Sequence, residues 1–91
     1  MSLKAALPKA LKELRFHFCQ TSPTSNGLRE FIATNYTTIK KANPHLPILI
    51  REASGSQARA FARFEFGREK KVVLENLSAK DIEQKLQDLV K

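Results

Sequence analysis

Residues 14–19, Leu-Arg-Phe-His-Phe-Cys, begin the segment from which most of the architecture can be predicted. Leucine and two phenylalanines alternate there with arginine, histidine and cysteine, and this period of two predicts a β-strand. After a polar loop, an apolar stripe at helical spacing predicts a helix; its members are Leu28, Phe31, Ile32, Tyr36 and Ile39. Residues 48–50, Ile-Leu-Ile, predict a second strand that is central and covered on both faces. A strand, a helix and a strand within 40 residues predict a right-handed βαβ unit.

The second half of the chain predicts a hairpin and a last helix. Alternation over residues 60–66 predicts a strand with one apolar face, formed by Ala60, Ala62, Phe64 and Phe66. Residues 71–75 predict a fourth strand that pairs back on it after a turn. Ser78 has the position of a helix cap.

These elements predict an α/β, thioredoxin-like fold with a four-stranded mixed sheet, arranged βαβ and then ββα and covered by helices. We expect strands near 14–19, 47–52, 60–66 and 71–75, and helices near 26–41 and 79–90. The chain has 91 residues, which is the size of one domain, and we place that domain at residues 13–91.

Composition excludes several classes of site. The single cysteine, Cys19, excludes an internal disulfide, and with only two histidines a structural zinc site of the Cys/His type is also excluded. The longest apolar runs have three residues, so we expect no direct membrane insertion. The three glycines are isolated and the acids are scattered, so we expect no catalytic residue, no metal, no cofactor and no small-molecule substrate.

The net charge of +7 favours an anionic partner, which RNA, acidic lipid and an acidic protein would all provide. Residues 1–12 carry three lysines and no acid. One interpretation of this segment is a mitochondrial targeting signal that stays uncleaved. The other is a short helix leading into the first strand, because leucines recur at helical spacing at Leu3, Leu7, Leu11 and Leu14.

Cys19 is the one candidate for reactive chemistry. It ends the first predicted strand shortly before a helix, and residues 19–22 have the Cys-x-x-Ser form of a monothiol redox site. The alternative is a buried, inert cysteine at the end of a core strand. There is no resolving cysteine, and residues 57–59, just before the third predicted strand, contain no proline, so redox chemistry is the weaker hypothesis.

Three arginines are the other candidate set. Arg51 closes the second predicted strand, and Arg59 and Arg63 lie on or near the third, so we expect them to converge on one edge of the sheet. Arginine suits bidentate contacts with carboxylate or phosphate, although a solvated basic face is an equal alternative. RNA recognition favours exposed aromatic rings, and only Phe61 shares a face with Arg63. The sequence therefore predicts nucleic-acid binding only weakly.

Three stretches resemble one small mitochondrial family: residues 24–32 (Thr-Ser-Asn-Gly-Leu-Arg-Glu-Phe-Ile), residues 40–44 (Lys-Lys-Ala-Asn-Pro) and residues 46–52 (Leu-Pro-Ile-Leu-Ile-Arg-Glu). This family comprises a thioredoxin-fold accessory subunit of respiratory complex I (NADH:ubiquinone oxidoreductase) and related mitochondrial ribosomal proteins. The resemblance covers about residues 13–91, and residues 62–67 are similar to the complex I branch.

The resemblance implies a non-catalytic subunit that supports assembly or stability of the matrix arm of complex I. It also implies other complex I subunits as partners, chiefly the large iron–sulfur subunit, and a peripheral location on the matrix side of the inner membrane. The alternative within the family is a mitochondrial ribosomal protein that binds rRNA. Animal members of the complex I branch carry a second cysteine after strand two, and this chain has Ala53 there.

Overall fold

A computed structural model describes residues 7–90 as one mixed sheet with two long helices. The elements are β1 (Leu11–Phe18), α1 (Asn26–Ala42), β2 (Ile48–Glu52), β3 (Arg59–Phe64), β4 (Glu69–Val73) and α2 (Ala79–Leu89). Short 3-10 turns occupy Pro23–Ser25 and Glu65–Gly67. The strand order is β2-β1-β3-β4, with β1 parallel to β2 and the other neighbours antiparallel. The predicted α/β architecture is confirmed.

One face of the sheet and one face of each helix form the core. On β1 and β3 the inward row pairs large residues with small ones, since Phe16 lies opposite Ala60 and Leu14 opposite Ala62. Both alanines are completely buried, so their small side chains leave room for the helices to approach the sheet. Phe31 of α1 and Leu86 of α2 pack on the same side as Leu14 and Phe16. Both helices therefore cover a single face.

The prediction that residues 48–50 form a central strand covered on both faces is wrong. β1 takes the central place because it pairs with both β2 and β3, and β2 lies at the edge. Ile50 faces the helix side, opposite Phe16, and is 36% exposed because β2 is an edge strand. The other face of β2 has no covering helix, because the connection between β2 and β3, residues 53–58, is too short to hold one.

The prediction that Phe66 lies on the apolar face of the third strand is also wrong. The alternating pattern of residues 60–66 assigned it to the apolar face, but β3 ends at Phe64. Phe66 instead lies in the turn before β4, with φ of 63°, and its side chain is exposed.

The start of the chain differs from the predicted helical spacing. β1 begins at Leu11, so Leu11 and Leu14 lie in a strand, and their side chains are buried there. Leu3 lies outside the described residues. The targeting signal proposed for residues 1–12 stays a prediction.

The motif Ser-x-Gly-x-Arg-Glu-Phe at residues 25–31 connects the start of α1 to the end of β1 and to the segment before α2. The buried Ser25 hydroxyl accepts a hydrogen bond from the Cys19 N–H at 3.3 Å. The Arg29 guanidinium donates to the carbonyl oxygens of Cys19 at 2.6 Å and Ser22 at 3.0 Å. Gly27 lies against the chain before α2, where a Cβ would meet the Leu77 carbonyl oxygen at 1.8 Å. The motif therefore has a structural explanation.

We expect Gly27→Ala to destabilise the domain by about 1–3 kcal/mol, because the added methyl group forces the Leu77 backbone away from α1. Intrinsic propensity has the opposite sign, since glycine to alanine in an unobstructed helix stabilises by about 0.4–1 kcal/mol. Urea unfolding of both forms measures the difference. Thr34→Ala, on an exposed position of the same helix, is the control and should change stability by less than about 0.5 kcal/mol. An increase in stability for Gly27→Ala would contradict this packing.

Candidate functional site

The candidate site is the face of the sheet that neither α1 nor α2 covers. Strand alternation and the observed register turn eleven side chains towards this side, which we call the open face: Glu13, Arg15, His17, Leu49, Arg51, Arg59, Phe61, Arg63, Glu69, Lys71 and Val73. Five of these side chains are cationic and two are carboxylates, so the open face carries a net of three positive charges.

Phe61 lies at the centre of the open face among cations. The Arg15 guanidinium carbon lies 5.1 Å from the centre of the Phe61 ring, and that of Arg59 lies 5.7 Å from it. The His17 ring is 4.9 Å away with its plane inclined at 54°. Positive charge over an aromatic face is attractive, so these contacts hold the cations in place on the sheet.

Carboxylates partner only one of the arginines on this face. Arg15 lies 2.9 Å from Glu13 through its Nε and 2.7 Å from Glu69 through its Nη2. Arg51, Arg59 and Arg63 form no ion pair with any residue of the described range 7–90. These three guanidinium groups are therefore available for anionic groups outside the domain.

The pKa of His17 reflects this concentration of positive charge. Partial burial lowers the pKa below its usual value, and the charges of Arg59, Arg15 and Arg51 lower it further. At neutral pH the imidazole is therefore uncharged, and the positive charge of the open face comes from arginine and lysine.

The structure brings the three predicted arginines to one surface, although to a face and not to an edge. Arg51 and Arg59 flank His17 in one row across the sheet, since each lies opposite it in the register. Arg63 lies farther along β3, opposite Glu13 and Glu69. From the sequence, Phe61 was already assigned to the face of Arg63, but the contribution of Arg15 and His17 was missed. Their alternation within the strands was the available signal, but the pairing of β1 with β3 was needed to use it.

Cys19 lies just beyond β1, and it is only 4% exposed. Its sulfur accepts a hydrogen bond from the Gly55 N–H at 3.4 Å and lies 3.6 Å from the Thr21 hydroxyl. Hydrogen bonds to the sulfur, above all from the Thr21 N–H, lower the pKa of the Cys19 thiol to about 6. The thiol thus links the end of β1 to the connection between β2 and β3.

These features are suited to binding through fixed cations. Arginine presents several N–H donors in a plane and pairs with carboxylates in a bidentate manner. Among residues 7–90, no three histidine, cysteine or acidic side chains come together as metal ligands would. The same part of the chain contains no helix long and apolar enough to span a bilayer.

Comparison with known proteins identifies the class. The family described as the mitochondrial ribosomal protein L51 / S25 / CI-B8 domain matches residues 28–79, and the chain belongs to this family. It is 52% identical over 91 residues to the NADH-ubiquinone oxidoreductase 10.5 kDa subunit of Neurospora crassa, covering 100% of this chain and 97% of that protein.

Two more relatives carry a related name. NADH dehydrogenase (ubiquinone) 1 alpha subcomplex subunit 2 of Mus musculus is 50% identical over 80 residues, which are 88% of this chain and 81% of the relative. The protein of the same name in Arabidopsis thaliana is 44% identical over 91 residues, which are 100% of this chain and 94% of the relative. The resemblance to complex I accessory subunits is confirmed.

Folding stability should depend on pH through Cys19. The pKa of its thiol is lowered to about 6 in the folded chain, whereas an unfolded cysteine titrates at about 8.5. Between these values the unfolded chain holds the additional proton, so the contribution of Cys19 to stability grows as pH rises and is lost as pH falls through 6. We expect the melting temperature of the unsubstituted chain to gain on that of Cys19→Ser between about pH 6 and pH 9.

Serine is the matched substitution because its oxygen accepts the same hydrogen bonds without ionising in this range. Cys19→Ala, which removes both properties, should lack the same pH-dependent gain and have a lower melting temperature than Cys19→Ser. If the difference between the unsubstituted chain and Cys19→Ser stays constant from pH 6 to pH 9, the thiolate is not stabilised by the fold.

Proposed function

We propose that this chain is a non-catalytic accessory subunit of mitochondrial complex I that supports assembly or stability of the matrix arm. Two kinds of observation support this proposal. Relatives over nearly the whole chain are named as subunits of NADH dehydrogenase or NADH-ubiquinone oxidoreductase. The single structural observation that carries it is the open face, on which Arg51, Arg59 and Arg63 have no carboxylate partner within residues 7–90.

The docking surface in this proposal is the open face itself. Half-buried Phe61 and Leu49, together with Val73 at 48% exposure, give it apolar area that a partner can bury. The surrounding arginines select a partner surface with carboxylates and oppose one with cations, which is how charge gives specificity to an interface. The partner we propose is the large iron–sulfur subunit of the matrix arm, with the chain peripheral to the inner membrane on its matrix side.

Electron transfer belongs, in this proposal, to the other subunits. Cys19 has a structural role, because its sulfur holds the connection between β2 and β3 against the end of β1 through Gly55. Its 4% exposure limits contact with any redox partner. The rRNA-binding alternative is not favoured, since the three relatives are all named as subunits of the NADH-oxidising enzyme.

Charge reversal tests the open face. We expect the triple variant Arg51→Glu, Arg59→Glu and Arg63→Glu to lose at least about tenfold in co-migration with complex I on a native gel, because truncating one side of a buried charge contact costs about 2–5 kcal/mol. The purified variant should still fold, since Arg51 and Arg63 are exposed and none of the three has an ion pair within the described residues. Circular dichroism and urea unfolding check this.

The matched control reverses three exposed lysines on the helices, Lys41, Lys80 and Lys85, and thus changes the net charge by the same amount. This control should co-migrate with complex I as the unsubstituted chain does. Equal losses in both triple variants would indicate a general charge effect. Normal incorporation of the arginine variant would show that another surface makes the contact, and sedimentation of the unsubstituted chain with ribosomes would overturn the proposed function.

A further inference from the structure

Phe66 is the most exposed large apolar side chain of the described residues, at 96% exposure. It occupies the turn between β3 and β4 and has φ of 63°, in the left-handed region of backbone space. Phe66 thus buries almost no area in the isolated domain, and its backbone conformation is one that a residue with a bulky side chain adopts rarely.

The other positive φ values in residues 7–90 fall on residue types that tolerate them: Gly55, Gly67 and Asn76. Glycine has no Cβ to crowd the neighbouring carbonyl, and asparagine visits this region more readily than other residues. Phe66 departs from this pattern, and its ring gains no packing in return. Folding of the domain therefore does not explain a phenylalanine at this position.

The turn holds Phe66 on a defined base. The Phe64 N–H donates to the Arg68 carbonyl oxygen at 2.7 Å, and this hydrogen bond joins the two ends of the turn. The Glu65 N–H donates to the Ala10 carbonyl oxygen at 2.9 Å, which fixes the turn to the segment before β1. A side chain presented on an ordered backbone loses less conformational freedom on binding than one on a loose loop.

Four cations lie on the residues around this turn: Lys12, Arg63, Arg68 and Lys70. Lys12 and Arg63 line one surface cleft together with Phe66, and the acids in that cleft are Glu13 and Glu65. On the other side, Arg68 and Lys70 lie 5.6 Å and 5.4 Å from the centre of the Phe64 ring, which keeps both beside the turn. With Glu69, which lies opposite Arg63, four cations against three carboxylates leave this end of the sheet with one excess positive charge. Since Arg63 also belongs to the open face, the two surfaces are continuous.

We infer that Phe66 is an anchor residue whose ring inserts into an apolar pocket, rimmed by carboxylates, on the neighbouring protein subunit that receives the open face. This inference rests on the proposed function and adds to it a contact outside the sheet. Exposed aromatic residues that become buried in partner pockets commonly dominate the binding energy of an interface. The cations around the turn match acidic groups at the rim of such a pocket.

The test uses the full chain with an affinity tag, expressed in cells that do not produce the untagged protein. Phe66→Asn removes the ring and supplies a residue suited to positive φ, whereas Phe66→Leu keeps an apolar side chain as the matched variant. We expect at least about a tenfold loss of co-migration with complex I for Phe66→Asn and less than about a threefold loss for Phe66→Leu. The urea midpoint of purified Phe66→Asn should equal or exceed that of the unsubstituted chain.

Each other outcome overturns a specific statement. If the unsubstituted chain fails to co-migrate with complex I, the proposed function is wrong. If that chain co-migrates and Phe66→Asn does so equally, the anchor is wrong and the proposed function stands. A lower urea midpoint for Phe66→Asn would show that Phe66 stabilises the isolated domain. Self-association of the purified chain that disappears in Phe66→Asn would replace the partner subunit with a second copy.

Discussion

The short connection between β2 and β3 leaves one face of the sheet without a covering helix. Residues 53–58 cross the end of β1 without forming a helix, and both long helices lie on the other face of the sheet, against Leu14 and Phe16. On the covered face, the inward rows pair large residues with small ones, such as Phe16 with Ala60, so that both helices can pack closely on the sheet. The outward rows have no third layer packed on them, and they carry arginines and Phe61. A one-sided core therefore produces the surface that we propose for docking.

Residues 19–29 hold this arrangement together. Cys19 contacts the connection through Gly55, while its backbone N–H and carbonyl bond to Ser25 and Arg29 at the entry of α1. The same short region therefore positions the crossing connection, the end of the central strand and the first helix. The motif at residues 25–31, which is part of the family resemblance, therefore carries structural residues, whereas the proposed contact with a partner lies on the opposite side of the sheet.

Much of the secondary structure could be predicted because its signals are local. The alternation of residues 14–19 and the apolar stripe beginning at Leu28 each depend on a single element, and both are confirmed. The position of β2 could not be predicted, because three consecutive apolar residues do not reveal how many strands pair with them. Phe66 misled for a related reason: the alternation continues past Phe64, and only the left-handed turn shows that the strand has ended.

The candidate surface was predictable in composition but not in shape. Arg51, Arg59 and Arg63 could be chosen from their places near strand ends, yet the register determines that all three share a face with Arg15. Their lack of carboxylate partners within residues 7–90 is also a property of the folded chain, since Glu13 and Glu69 are both directed to Arg15. Pairing between distant segments thus carries the information that local patterns lack.

Cryo-electron microscopy of complex I purified through a tag on this chain would show directly which surface of the domain is in contact. We expect the open face to be buried against one neighbouring subunit, with carboxylates of that subunit within hydrogen-bond distance of Arg51, Arg59 and Arg63. We also expect the outer surfaces of α1 and α2 to remain accessible to solvent. A map in which the helices are buried and the open face of the sheet is exposed to solvent would contradict this expectation.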